Sequence, residues 1–490
     1  MKNINVAALD LGAESGRAIV GKFDGKTLAL IEVHRFPNVS VRLPDGLHWD
    51  ILYLFNEIKT GIRKAVEAMN GDLASVGLDT WGVDHGLLDE NGSLTFLPYH
   101  YRDNRTDHAL EEAYAIVPQS EIHRHTGLQF MSFNSLYQLL ALKNINSPAL
   151  SSARTFLTVP DLLNYWLTGK KVCEFTNATT TQCFNPATND WAYELLEKFG
   201  LPTDIFPEII PACTVLGPML PYVAAETTAE NLTVIAPACH DTGSAVLSVP
   251  ALNADAAFIS SGTWSLIGME VPEAIITEES LAMNFTNEGC VGGHYRFLKN
   301  ITGLWIIQEC KRFWASQGED LSYTEITKMA AEAAALQSFI NTDWTDFVKP
   351  GEMPLKIQRY CEETGQIVPQ TKGEIVRCAL DSLALKYREE FEKMEKAKGK
   401  RIDTLHIVGG GTQNLLLNQL AANAVQRTVV TGPIEATAVG NILGQLIALK
   451  VVSSTEQARE VVRNSFDLVT YQPQDSATWN DAYKRYLSVQ

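Results

Sequence analysis

The sequence predicts an α/β fold of two units with similar strand order, flanking a cleft. Three observations carry this. Apolar runs of strand length alternate with long amphipathic helical stripes, and a strand, polar turn, strand pattern occurs once in each half. In addition, no Gly/Ser-rich or Pro-rich tract separates the halves.

Val6 to Leu9 reads as a short apolar strand running into Asp10-Leu-Gly-Ala-Glu-Ser-Gly-Arg17, and the chain returns as Ala18 to Phe23. Asp24-Gly25 turns it into a third strand, Leu28 to Val33, so turn chemistry gives a β-meander. Its first turn is unusual. Asp10 ends a strand, and the small residues after it let backbone amides face an anion. From Asp50 as N-cap, Ile51, Leu54, Phe55, Ile58, Ile62, Ala65, Val66 and Met69 trace a helical stripe. A further strand, Ala74 to Leu78, meets Asp79-Thr-Trp-Gly82-Val-Asp84. Three antiparallel strands, a helix and a parallel strand describe an RNase-H-like unit.

Arg102 to Leu220 lacks a clean βα alternation and reads as an insertion, about 102–220, on the first domain. Beyond it, the strand Leu232 to Ala236 precedes Pro237-Ala-Cys-His240-Asp241-Thr242-Gly-Ser244, a polar turn before Val246-Leu247. The second half echoes the first. Ala256 to Ile259 is a strand, Ser260-Ser-Gly-Thr263-Trp-Ser265 a hydroxyl-rich turn, and Ile375, Ala379, Leu383, Tyr387, Phe391 and Met394 line one helix face. Thr404 to Val408 is the next strand, leading to Gly409-Gly410-Gly411-Thr-Gln-Asn414 and a helical run from Leu415 to Val425. Gly432 to Asn441 then joins a strand to a small-residue helix, suited to a hinge or to tight packing. The expected domains are 1–248 and 249–490.

Composition narrows the partners. The 490 residues are 46% hydrophobic and 20% charged, with 40 Lys and Arg against 57 Asp and Glu, a net charge of −17. No basic stripe favours nucleic acid or anionic lipid, and no run suits a membrane span. Eight cysteines are scattered without a CxxC pair, as expected for reduced thiols in a cytoplasmic protein. Cys361 and Cys378 are close enough in sequence to bridge, but buried thiols are the expected state.

Transfer of a phosphoryl group needs charge neutralisation, alignment and an acceptor hydroxyl relieved of its proton. Asp10 is a candidate to face Mg²⁺ through water, and Asp241 a candidate to take the proton. Arg17 suits a phosphate oxygen, and the Gly410 loop follows a strand as a nucleotide-facing turn would. Neither GxGxxG nor a Walker sequence explains these segments.

Asp10 to Arg17, His240 to Ser244, Ser261 to Ser265, Gly409 to Gly411 and Glu435-Ala-Thr437 occur in an order that resembles the FGGY carbohydrate kinases, of the actin/Hsp70/sugar-kinase fold. Asp79 to Asp84, Tyr101-Arg-Asp103, Thr176 to Thr181, Leu298 to Trp305 and His406 to Gly411 resemble the branch acting on L-rhamnulose. The resemblance implies transfer from MgATP to the 1-hydroxyl of that ketose in L-rhamnose catabolism. It implies Asp241 as base, with Gly82, His240, Thr242 and Asn300 at the sugar. It further implies that Ala13, Glu14, Ser15, Gly16, Arg17, Thr263, Gln308 and Gly410 hold ATP. Ala13 and Glu14 depart from the Thr and small residue common in the wider family, so the Glu14 backbone rather than its carboxylate is the expected phosphate contact. A related kinase for L-fuculose or another ketose, and a non-catalytic ATP- and sugar-binding protein of the same fold, are the alternatives. Trp81 and Trp264 are expected to pack rather than to stack on a sugar.

Overall fold

The structure, a computed structural model, describes residues 3–230, 232–253 and 255–490. The chain divides into two compact units. The first takes in the chain to Pro250 with Glu270–Phe297 and Ala436–Ser465; the second comprises Ala251–Met269, Leu298–Glu435 and Phe466–Gln490.

In the first unit a six-stranded sheet has the order Thr214–Pro218, Thr233–Ala236, Ser75–Thr80, Ile4–Leu11, Ser15–Phe23 and Leu28–Pro37. Ile4–Leu11 pairs antiparallel with Ser15–Phe23 and parallel with Ser75–Thr80, the arrangement that turn chemistry predicts. Its residues from Asn5 to Leu11 are all buried, with no polar alternation, because helices cover both faces. Gly61 of the helix Ile51–Ala68 packs on Leu9 and Ala18, whereas Gly21 packs on Ile442 of the helix Ala436–Ala448. Ala18 and Gly21 are an odd number of residues apart on one strand, which puts the two helices on opposite faces.

The second unit repeats the strand logic. Ala256–Ser261 pairs antiparallel with Trp264–Val271 and parallel with Thr404–Val408, which in turn pairs with Thr428–Thr431. Lys372–Lys398 is the long amphipathic helix. It opens on a capping box, in which Thr371 accepts from Glu374 N while the Glu374 side chain accepts from Thr371 N, and ends at Gly399 with φ 66°. Thr371→Ala is expected to cost about 1 kcal/mol, within a range of roughly 0.5–2, read as a lower urea midpoint with unchanged slope.

Several boundaries differ from the sequence reading. Strands run through polar residues such as Asp10 that end an apolar run but not a hydrogen-bonded ladder. Asp241-Thr-Gly-Ser, read as a turn, is the first turn of the helix Asp241–Leu247, with His240 extended at its N-cap. Gly and β-branched residues lower helix propensity there, and packing on Ala436–Ala448 overrides them. Gly410–Gln413 is a short 3₁₀ turn rather than an open loop. Helices Trp305–Ser316, Tyr323–Glu332 and Met353–Glu363, unread in the sequence, precede the long helix. All eight cysteines are free thiols, with Cys361 Sγ 4.0 Å from Cys378 Sγ. Among the described residues no helix is long and apolar enough to cross a membrane.

Candidate functional site

The extended Cys239-His240 segment is held from two sides before the helix begins. Thr80 N donates to Cys239 O at 2.9 Å, Cys239 N donates to Glu174 Oε2 at 3.0 Å, and His240 N donates to Thr176 Oγ1 at 3.1 Å. Glu174 is fully buried as N-cap of Phe175–Ala178, and burial pushes its carboxyl up to about 7. The 102–220 region thus supplies Glu174 and Thr176 to the support of this segment.

Asp241 follows, with 31% of its side chain exposed. Its Oδ1 accepts from Thr242 N at 2.5 Å and Thr242 Oγ1 at 3.0 Å, and lies 3.3 Å from His240 Nε2. Oδ2 has no hydrogen-bond partner among the described residues. One oxygen is anchored and the other is left for a proton. Burial, with nearby Asp10 adding to it, pushes the carboxyl up to about 6, suited to a general base near neutral pH.

Asp10 and Asp79 are partners in the parallel register, 3% and 0% exposed. Asp10 Oδ2 is 3.1 Å from Arg17 Nε, so the structure pairs the predicted phosphate ligand with the predicted metal-facing carboxylate. Asn441 Nδ2 donates to Asp79 Oδ2 at 2.6 Å, and Asp79 Oδ1 has no partner among the described residues. Burial raises the pKa of both carboxyls, and that of Asp79 is raised further by Asp10 and Asp241. Magnesium keeps most of its water and needs few protein ligands, so Asp10, the less buried member of the pair, is the residue that would face it through water.

Gly12, Ala13 and Glu14 form the adjoining hairpin turn, and Ser15, Gly16 and Arg17 open the strand that follows it. Gly12 N donates to Ser15 O, and Asn38 ties the turn down through Glu14 O and Gly12 O. The Glu14 side chain is exposed, and Gly16 lies beneath the Phe36 ring, where a side chain would clash.

Gly82 follows Ser75–Thr80 and faces Thr180 so closely that an added Cβ would lie 2.9 Å from Thr180 Oγ1. Val83 has φ 67°, a left-handed backbone that a β-branched side chain resists at a cost of about 1–3 kcal/mol. Thr180 Oγ1 holds Val83 N at 3.0 Å, and Asp84 accepts from Trp49 Nε1, Trp81 Nε1 and Gln138 Nε2 at 2.6, 3.0 and 2.8 Å. Trp81 packs on Trp49 with ring centroids 4.0 Å apart, as expected of a structural tryptophan.

In the second unit, Thr263 sits at the tip of the hairpin between Ala256–Ser261 and Trp264–Val271. Its carbonyl accepts from Trp305 N, which fixes the start of Trp305–Ser316 and with it Gln308 one turn on. Gln308 Oε1 is buried without a partner among the described residues, an acceptor awaiting a donor. Gly409 and Gly411 pack on Ser261, where any side chain at Gly411 would overlap the Ser261 hydroxyl, while Gly410 is exposed with open space around it. Thr263, Gln308 and Gly410 are therefore gathered around one hairpin. Asn300 lies within the strand Tyr295–Thr302.

The comparisons with known proteins agree with this reading of the fold. Residues 5–248 match the N-terminal domain of the FGGY family of carbohydrate kinases, and residues 257–449 match its C-terminal domain. The chain belongs to this family. A rhamnulokinase of Bacteroides thetaiotaomicron is 43% identical over 479 residues, 98% of each chain. One of Oceanobacillus iheyensis is 42% identical over 472 residues, covering 96% of this chain and 98% of that protein. Among solved structures, a ligand-bound xylulose kinase of Lactobacillus acidophilus superposes with TM-score 0.82 at 17% identity, covering 99% of this chain and 97% of that one. Glycerol kinase of Plasmodium falciparum with ADP gives 0.79 at 15%, covering 99% and 98%. The two-domain FGGY kinase fold is thus shared at low identity.

Several residues in this FGGY kinase escaped sequence reasoning. Asp79 and Asp84 stand within a quoted motif, but nothing in its pattern separates a buried acid from a capping one. Glu174, Asn441, Glu288 and Arg296 reach the site only through tertiary packing.

Proposed function

We propose that the protein transfers the γ-phosphoryl group of ATP to the 1-hydroxyl of L-rhamnulose, giving L-rhamnulose 1-phosphate and ADP in L-rhamnose catabolism. The observation that carries it is Asp241, whose Oδ1 is anchored while Oδ2 has no partner among the described residues and whose carboxyl is pushed up to about 6. Oδ2 takes the hydroxyl proton as the sugar oxygen bonds to phosphorus and the bond to the ADP oxygen breaks; the proton then passes to solvent. Gly82, His240, Thr242 and Asn300 orient the ketose. Ala13 to Arg17 hold phosphate through backbone amides, and Thr263, Gln308 and Gly410 hold the rest of the nucleotide, where the unpaired Gln308 Oε1 suits an N–H donor. Magnesium, held through water at Asp10 beside Asp79, would neutralise phosphate charge. The identity to the two rhamnulokinases, 43% and 42%, supports the choice of ketose.

ADP release from MgATP with L-rhamnulose, L-fuculose, L-ribulose, D-xylulose and glycerol is the test. Turnover is expected to be strongest with L-rhamnulose, with the margin over near analogues about 10- to 200-fold per apolar group missed. Preference by a large factor for another sugar rejects the substrate. No ADP with any of the five rejects the kinase reading.

A further inference from the structure

On the side of His240 away from Asp241, Nδ1 accepts a hydrogen bond from Nη2 of Arg296 at 2.9 Å, and the same Nη2 donates to Glu288 Oε2 at 2.9 Å. Arg296 comes from Tyr295–Thr302 and Glu288 from Thr286–Gly289. The guanidinium has no exposed surface, and Glu288 keeps 8% of its side chain exposed. Among the described residues Nε and Nη1 of Arg296 have no acceptor. A buried arginine with idle donors lowers stability relative to a well-packed apolar side chain, so folding alone does not account for it.

What Arg296 does through Nη2 accounts for it better. An arginine only donates, so Nδ1 of His240 is bare and the ring proton is on Nε2, 3.3 Å from Asp241 Oδ1. Glu288 Oε2 also lies 3.4 Å from Nδ1, and alone it would favour the opposite tautomer. The donor of Arg296 decides between them. Burial, with the Arg296 charge beside it, also holds the imidazole well below the usual histidine value.

We propose that Arg296, oriented by Glu288, is a positioning residue that fixes His240 as the neutral Nε2–H tautomer, presenting that N–H beside Asp241 to the acceptor sugar. This rests on the phosphoryl-transfer reading above. A neutral ring 3.3 Å from Asp241 spares that carboxylate the imidazolium charge that would make it a weaker base.

Long-range ¹H–¹⁵N correlation of the full chain labelled with ¹⁵N-histidine tests it, with His240 assigned by its loss in His240→Gln. A pyridine-like Nδ1 and pyrrole-like Nε2 are expected. The reverse pattern, or an imidazolium, overturns the assignment whatever the protein phosphorylates; failure of the sugar panel removes the functional reading and leaves the tautomer result standing. Arg296→Met keeps length and loses the donors. It is expected to lose the pyridine-like Nδ1 and to lower kcat about 10- to 100-fold with KM for ATP near parental, a typical effect for a partner that orients a site histidine. Arg296→Lys still donates to Nδ1 and should recover the tautomer and most of kcat. Parental tautomer and kcat in Arg296→Met overturn the proposal. Should that variant not fold, a folded Arg296→Lys with the proton on Nδ1 and parental kcat overturns it equally.

Discussion

Asp241→Asn should retain ATP binding and turn over ketose about 10²- to 10⁴-fold more slowly, because it removes a positioned base and almost no volume. The amide can still accept from Thr242 through its oxygen, which keeps the helix start at Asp241–Leu247 in place. Steady-state kcat and a nucleotide titration on the same sample check this, and a parental kcat would assign the base elsewhere. Burial disfavours the charged form of Asp241, so the base is ionised only above about pH 6: kcat should rise through that value and level off above it. Stability carries the opposite sign. A carboxyl whose folded pKa is raised from 3.8 to about 6 destabilises the fold when ionised. That cost is present above about pH 6 and fades as pH falls toward the ordinary value. Asp241→Asn should therefore melt higher than the parent at pH 8, with the gap narrowing below pH 6. An Asn variant that melts lower at pH 8 would mean the carboxylate is stabilising.

Gly440→Ala should be the most damaging methyl group added to the chain. The helices Ala436–Ala448 and Asp241–Leu247 cross so closely that a Cβ on Gly440 would overlap the Ser244 carbonyl, and backbone cannot rotate away as a side chain can. Overpacking of this kind costs about 1–3 kcal/mol or more. The relief available is movement of the helix that carries Asp241, and a displacement near 1 Å can lower the rate about 10²-fold. We expect a lower urea midpoint together with a lower kcat. Gly410→Ala, with open space around the added methyl, should leave the unfolding free energy within about 0.5 kcal/mol of the parent. Equal midpoints for Gly440→Ala and the parent would refute the close crossing. Of the two sequence readings of this segment, tight packing is what the crossing displays.

Much of the site was legible because its residues are local. Asp10 to Arg17 is the end of one hairpin, Gly409 to Asn414 follows one strand, and both show in the chain as small residues between apolar runs. The helix at Asp241 was not legible, since its own propensities oppose it and the helix it packs on is distant in sequence. Val83 gave no sign of its left-handed backbone, because a valine there is held by Thr180 rather than by its neighbours.

By itself the sequence determined the fold class, the repeated strand order and the identity of the candidate base, since periodicity, turn chemistry and motif order are written in consecutive residues. Tertiary structure alone decided which oxygen of Asp241 is open, which nitrogen of His240 carries the proton, and which acids lie buried together. Those properties depend on desolvation and on hydrogen-bond partners brought from remote segments, such as Arg296 for His240 and Asn441 for Asp79. No local pattern encodes a distance between such residues.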